Sequence, residues 1–155
     1  MNLTLHTDYS LRILLYLAEH TGRPVSTREI SEAYGISRNH LVRVVQTLQS
    51  HSFVKTATGR SGGITLARDP ADIVIGEVAR KTEPNFRIVE CFDLKANTCR
   101  ILPVCTLRGV LAQALESFFH ILDKYTLADL VRMKGSQRLS DFLPIQSLVA
   151  QSPLS

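Results

Sequence analysis

Ser26-Thr-Arg-Glu-Ile-Ser-Glu-Ala-Tyr-Gly-Ile-Ser-Arg-Asn-His-Leu-Val-Arg43 is the stretch on which the reading of this 155-residue chain turns. Ser26 is a helix N-cap residue, and Glu29 three positions on supplies the second half of a capping box. Ile30 and Ala33 give a short helix its inward side, and Gly35 suits the left-handed residue that closes a helix. Ser37 then caps a second helix, in which Leu41, Val44, Val45 and Leu48 recur at helical spacing as a buried stripe. Helix, glycine-centred turn and Ser-capped helix make a helix-turn-helix. Its second helix opens Ser37-Arg38-Asn39-His40 and continues through Arg43. Short donors and cations stand there at the end that enters a major groove, where Arg reads guanine and Asn reads adenine. A merely solvated helix face has the same composition, so the flanking sequence has to decide.

Downstream, Phe53–Thr58 and Gly63–Ala67 have strand composition and alternation, joined by Gly59-Arg-Ser-Gly-Gly63. Taken alone, that join is a flexible turn. Directly after a recognition helix, a Gly-rich hairpin is a wing, whose backbone can approach DNA closely and whose tip carries Arg60 toward the minor groove. Upstream, Asp8–Glu19 reads as an amphipathic helix with Leu11, Leu14, Leu15 and Ala18 on one face and Thr7 or Asp8 as its cap. Gly22-Arg-Pro24 ends it. Arg28, at the front of the motif, is placed to meet a phosphate.

The charge distribution agrees with this reading. Residues 1–68 hold eight Lys/Arg against four Asp/Glu, and the rest of the chain holds ten of each, so the whole net charge of +4 lies in the first segment. Four of the five histidines are there too. That asymmetry favours a polyanionic partner for this segment, and beside the helix-turn-helix and wing the expected partner is double-stranded DNA. The apolar run Leu11–Ala18 is interrupted by Arg12, has no basic n-region before it, and is too short for a bilayer. The chain is therefore expected to work in the cytosol, away from membranes, with reduced thiols.

Beyond Asp69-Pro70, Ile73–Lys81 reads as a short helix with Ile73, Ile75, Val78 and Ala79 on its apolar side, stopped by Thr82-Glu-Pro84. From Leu107 a long periodicity sets in: Leu107, Leu111, Ala114, Phe118, Ile121 and Tyr125, widened by Val110, Leu115, Phe119 and Leu122. So broad a face needs more than its own subunit to cover it, and a two-fold dimer interface is the natural cover. The tail beyond Lys134 is polar, contains Pro144 and Pro153, and reads as partly disordered. The expected organisation is a winged helix-turn-helix domain over 1–68, a linking helix and cysteine loop over 69–105, a dimerisation helix over 106–131, and a tail over 132–155. In fold class this is mainly α with a small β-hairpin wing.

All three cysteines, Cys91, Cys99 and Cys105, fall in one loop with the spacing C-x7-C-x5-C. That is not the C-x2-C of a zinc ribbon, and tetrahedral zinc would still lack a fourth ligand. A catalytic cysteine would need a base and an orienting partner that the segment does not supply, so no enzyme is expected. Widely spaced thiolates suit an iron–sulfur cluster, while a zinc site or redox-active thiols stay open as alternatives. A cluster on three thiolates needs a fourth ligand, for which Asp8, His6, Asp93 and Glu90 are candidates, and a carboxylate there would be exchangeable, as suits a sensor.

The segments Gly59-Arg-Ser-Gly-Gly-Ile-Thr-Leu-Ala67, Ile75-Gly-Glu-Val-Ala-Arg-Lys-Thr-Glu83 and Glu90-Cys-Phe-Asp-Leu-Lys-Ala-Asn-Thr-Cys-Arg-Ile-Leu-Pro-Val-Cys-Thr-Leu-Arg108 together resemble the family of winged-helix iron–sulfur regulators. With Thr126-Leu-Ala-Asp-Leu130, they are most similar to its nitric-oxide-sensing branch. Another branch has tighter cysteine spacing and a histidine after the third cysteine, where this chain has Thr106-Leu107-Arg108. The resemblance covers about residues 1–131. It implies a homodimeric repressor with one cluster per subunit on Cys91, Cys99 and Cys105, 4Fe-4S or else 2Fe-2S. It further implies that Asp8 is the fourth ligand, given across to the partner subunit's cluster, and that nitric oxide lowers affinity for a palindromic operator. Arg12 and Arg100 would then supply charge around an anionic cluster. Two other classes remain to be separated from this one: a regulator that uses its thiols or zinc as the switch, and a redox carrier with a basic protein-docking face.

Overall fold

The computed structural model describes residues 2–59, 62–93, 95–133 and 141. Arg60, at the wing tip, and nearly all of the polar tail lie outside the described residues. Among the described residues there are six α-helices and one two-stranded antiparallel hairpin, so the expected class, mainly α with a winged helix-turn-helix, is the one observed.

Helix α1, Leu5–Glu19, buries Ile13, Leu14, Tyr16, Leu17 and Ala18. It begins three residues before the expected start, because Thr4, rather than Thr7 or Asp8, is the N-cap and accepts from the Thr7 backbone N–H. Thr7 is turned inward instead. It is fully buried, as is Ser10, whose hydroxyl donates to the His6 carbonyl at 2.7 Å. Thr7 Oγ1 donates to Glu83 Oε2 at 2.5 Å and lies 3.1 Å from Thr82 Oγ1, while Thr4 donates to the same carboxylate from Oγ1 at 3.0 Å. Thr7, Ser10 and Thr82 are the buried polar side chains among the described residues. Thr7 and Thr82 lie on the line where α1 meets α4, and Thr82 belongs to α4, which spans Ile75–Thr82. Buried hydroxyls that all find partners fix the register of two helices, since slipping either one would strand them.

Helix α2, Thr27–Tyr34, and helix α3, Arg38–Ser50, have the caps expected at Ser26 and Ser37 and a left-handed Gly35 (φ 65°) between them. The capping box at Ser26 is only half formed. Ser26 accepts from the Glu29 N–H, but the Glu29 carboxylate pairs with Arg23 and accepts from Tyr16 Oη at 3.0 Å. A guanidinium is a stronger partner for a carboxylate than a backbone N–H, which accounts for the departure. Burial and the Glu29 bond push the Tyr16 hydroxyl up to about 12. On α3, Leu41, Val44, Val45 and Leu48 are buried as expected, each contributing roughly 1.5–3 kcal/mol.

Strands β1, Val54–Ala57, and β2, Gly63–Leu66, pair antiparallel in the register Val54 to Leu66 and Ala57 to Gly63. They are shorter than the sequence suggests. Val25 adds a bridge to Ile64, with hydrogen bonds of 3.0 and 2.7 Å, which anchors the hairpin to the segment between α1 and α2. Gly59 takes φ 106°, and a Cβ on Gly62 would stand 2.4 Å from the Ala57 carbonyl oxygen, so the hairpin closes only with glycine at these positions. Arg68 locks the hairpin base to α4: its guanidinium lies over the Phe53 ring (4.6 Å to the centroid) and pairs with Glu77 at 3.2 Å.

A 3-10 turn at Pro70–Asp72 precedes α4, so the helix starts at Ile75 rather than Ile73. Val74 is held extended by its bridge to Thr126. The long periodicity after Leu107 divides into two helices, α5 (Leu107–Leu122) and α6 (Leu127–Arg132). Thr126 and Asp129 form a reciprocal capping box that starts α6 afresh, and burial and a capping bond then win over the continued periodicity. Leu127 is buried in the same core as α1, while α5 has no buried residue at all. Arg80 and Asp123 tie α4 to the end of α5 by paired hydrogen bonds of 2.7 and 2.6 Å; the Arg80 guanidinium lies over the Phe119 ring, which meets Phe86 edge-to-face. Gly76 leaves room for this, since its Cβ would fall 1.9 Å from Asp123 Oδ1.

Candidate DNA-reading face and cysteine loop

Burial of Leu41, Val44, Val45 and Leu48 turns the opposite side of α3 outward. Ser37, Arg38, Asn39, His40 and Arg43 are all exposed, as expected of a reading face. The Ser37 oxygen also serves as the cap, accepting from the His40 N–H at 3.4 Å. Among the described residues, neither Arg38 nor Arg43 has an acid within ion-pair distance, nor does Lys55 on β1. Arg28 is different, because its Nε pairs with Glu32 at 2.7 Å on the exposed side of α2, which offsets its charge. Unpaired cations on one helix face, with the acids of the domain already committed, make a site that a polyanion can neutralise.

The sequence reading overlooked two residues of this face. Val42 is 45% exposed, and Gln46 is also exposed. Asn39, Val42, Arg43 and Gln46 follow at i, i+3, i+4 and i+7, so they form one stripe down the helix. The signal was present as the complement of the buried stripe, and an apolar residue within it is what hid the pattern. A methyl-bearing side chain suits the thymine methyl, and a glutamine suits adenine.

The cysteine loop leaves α4 at Glu83 and returns at Thr106. Cys91, Cys99 and Cys105 are all partly exposed and free. Among the described residues, no three His, Cys, Asp or Glu side chains come close enough together to hold a metal ion. The three thiols nonetheless belong to segments tied to one another. Cys91 lies in a 3-10 turn, Glu90–Phe92, and a second such turn, Leu102–Val104, runs between Cys99 and Cys105. Leu102 N–H donates to the Cys99 carbonyl at 3.3 Å and Cys105 N–H to the Leu102 carbonyl at 3.4 Å. Arg108 Nε, on the first turn of α5, donates to the Cys91 carbonyl at 3.3 Å. Three thiols in one loop are donors of the kind that a cluster takes.

The candidate fourth ligands are mostly engaged. Glu90 accepts from both the backbone and the hydroxyl of Thr98, which holds its carboxyl below the usual range. Asp93 pairs with Arg87 and accepts from the Lys95 N–H. Asp8, on the first turn of α1, pairs with Arg12 at 2.7 Å on the surface. Arg100 is exposed, with no ion pair among the described residues. Among the described residues, no helix is long and apolar enough to cross a membrane.

A model of the Rrf2 family, described as an iron-dependent transcriptional regulator, matches residues 3–133. The HTH-type transcriptional regulator NsrR of Bacillus subtilis (strain 168) is 53% identical over 135 residues, which cover 86% of this chain and 92% of the relative. The NsrR of Geobacillus kaustophilus (strain HTA426) is 46% identical over 139 residues, covering 89% and 95%. Of solved structures, T. potens IscR superposes with a TM-score of 0.70 at 27% identity, covering 86% of this chain and 88% of that one. CymR, the global cysteine regulator of B. subtilis, superposes with a TM-score of 0.70 at 25% identity, covering 86% and 98%.

Proposed function

This chain belongs to the Rrf2 family of transcriptional regulators, and on that premise we propose that it is a homodimeric repressor that releases its operator in response to nitric oxide. The family makes it a DNA-binding regulator and not an enzyme. The finer reading is carried by one observation: a recognition face with unpaired cations shares a chain with a tied loop holding three free, accessible thiols. Cys91, Cys99 and Cys105 would hold an iron–sulfur cluster of the 4Fe-4S type in each subunit, in the cytoplasm. Asp8 of the partner subunit would complete the ligand set. When bound, the cluster supplies iron that reacts with nitric oxide.

The protein's part is to turn the loss of a ligand into a loss of DNA affinity. Asp8 stands on the first turn of α1, which packs on both α3 and α4. A carboxylate given across to the other subunit therefore ties one subunit's reading head to the other's cysteine loop. The tie sets the separation of the two α3 helices, which must match half-sites about one helical turn, roughly 34–36 Å, apart. Once released, the carboxylate finds Arg12 in its own chain, as here, and the heads are no longer held at that spacing. A preference of about 3 kcal/mol for the tied state is enough to change affinity by more than a hundredfold. In the bound state Ser37, Arg38, Asn39, Val42, Arg43 and Gln46 face the major groove with His40. Arg28 meets a phosphate and Arg60 the minor groove.

The test is purification without oxygen, then titration with nitric oxide while absorption and binding to a palindromic operator are followed together. A brown protein containing iron and sulfide, whose charge-transfer band and operator affinity fall in step, is expected; the iron count per subunit separates 4Fe-4S from 2Fe-2S. A colourless protein that binds DNA regardless of nitric oxide would leave the thiol or zinc switch in its place. In Asp8→Ala, operator affinity should no longer respond to nitric oxide. Full, nitric-oxide-sensitive affinity in that variant would rule out the tether.

A further inference from the structure

Glu90 and Thr98 each sit one residue before a cysteine, Cys91 and Cys99, and they are bonded to each other across the loop. A single carboxylate oxygen, Glu90 Oε1, accepts both the Thr98 backbone N–H and the Thr98 hydroxyl, the latter at 2.7 Å. Asn97 Oδ1 accepts from the Cys99 N–H at 3.1 Å, so the backbone on both sides of this junction is pinned. With Arg108 on the Cys91 carbonyl and the turn from Cys99 to Cys105, the bonds close a circuit through all three cysteine-bearing segments. The Glu90–Thr98 clip is the link of that circuit that joins the segment of Cys91 to the segment of Cys99.

We propose that Glu90 and Thr98 are positioning residues, a clip that holds the segments of Cys91 and Cys99 together before any metal arrives. The inference rests on the cluster reading above and gives Glu90 a role other than ligand. Its physical basis is the entropy of a loop of more than twenty residues between α4 and α5. Without ties, binding metal would have to order that loop as well as form bonds, and a loop already closed by hydrogen bonds avoids most of that cost. A carboxylate accepting two donors is a stronger tie than a neutral pair, although exposure to water reduces its worth.

The experiment uses the full chain, reconstituted with ferrous iron and sulfide without oxygen, in wild type, Glu90→Ala, Glu90→Gln, Thr98→Val and Thr98→Ser. Cluster loss to a chelator is followed by the charge-transfer band, and the spectrum of each loaded form is recorded first. Amide hydrogen exchange at Thr98 and Cys99 is measured on the metal-free chain. Glu90→Ala is expected to leave the spectrum unchanged, speed cluster loss about tenfold and raise exchange at Thr98 by a similar factor. Glu90→Gln keeps the accepting oxygen and Thr98→Ser keeps both donors, so each should stay near wild type, with Thr98→Val between. Unchanged lability in Glu90→Ala would overturn the clip, and so would an altered spectrum in Glu90→Gln, which would make Glu90 a ligand. Failure of the wild type itself to take up iron and sulfide would instead sink the cluster reading, and the clip's role with it.

Discussion

Ile121→Ala tests whether α5 is an interface between two copies of the chain. In the single subunit Ile121 is 56% exposed, and Val110 and Leu107 on the same helix are each 59% exposed. Ile→Ala removes three carbons, worth about 2.4 kcal/mol if fully buried at about 0.8 kcal/mol each. Only the exposed 56% is left for a partner to cover, so about 1.3 kcal/mol per copy belongs to the interface. An isologous interface contains the residue twice, which brings the loss to about 2.7 kcal/mol, close to a hundredfold in dimer dissociation constant. Sedimentation equilibrium over a concentration series reads this directly. Operator affinity should fall with it, because one subunit reaches one half-site. A dissociation constant within threefold of wild type would refute the reasoning, and α5 would then need another cover.

Three further outcomes follow from the geometry. Arg43→Ala should cost about 1–3 kcal/mol per half-site at the operator and relax the preference for one base pair there; anisotropy titrations with operators substituted position by position measure it, and a uniform loss at all sequences with a salt slope flattened by about 1.8 would mean that Arg43 meets phosphates instead. Gly62→Ala places a Cβ 2.4 Å from the Ala57 carbonyl oxygen, so the wing should distort and operator affinity fall at least about tenfold, while the denaturant midpoint, set by the α1–α3 core, moves little. Asp129 is held down at about 2 by its bonds to Thr126, and a depressed carboxyl stabilises the fold above its unfolded value near 3.8 and loses that contribution as pH falls through about 2. Asp129→Asn should therefore remove part of the acid-side loss of stability between pH 4 and 2, visible as a shallower dependence of Tm on pH there.

Much of this fold could be read from local pattern. The Ser26 and Ser37 caps, Gly35 and the Leu41–Val44–Val45–Leu48 stripe declare themselves because caps and helical periodicity involve neighbours three or four residues apart. The hairpin was visible for the same reason, in the glycines between two alternating runs. What local pattern missed were choices between partners. Nothing near Glu29 says that its carboxylate will prefer Arg23 and Tyr16 to the Ser26 N–H, and nothing near Thr7 says that it will turn inward toward Glu83, 76 residues away. The break between α5 and α6 was hidden because periodicity runs straight through Tyr125; it is made by Leu127 entering the α1 core and Thr126 bonding Asp129.

The same division holds for the site. Sequence alone picked out three cysteines in one loop, the cations of the recognition helix and the excess positive charge of the first 68 residues, since composition and spacing are properties of the chain itself. Only the tertiary structure decided which of those charges stay available: Arg28 is paired with Glu32 and Arg12 with Asp8, while Arg38 and Arg43 have no acid within ion-pair distance among the described residues. It also decided that Glu90 faces Thr98 across the loop. Pairing is a competition among all side chains within reach, and that set exists only once the chain has folded.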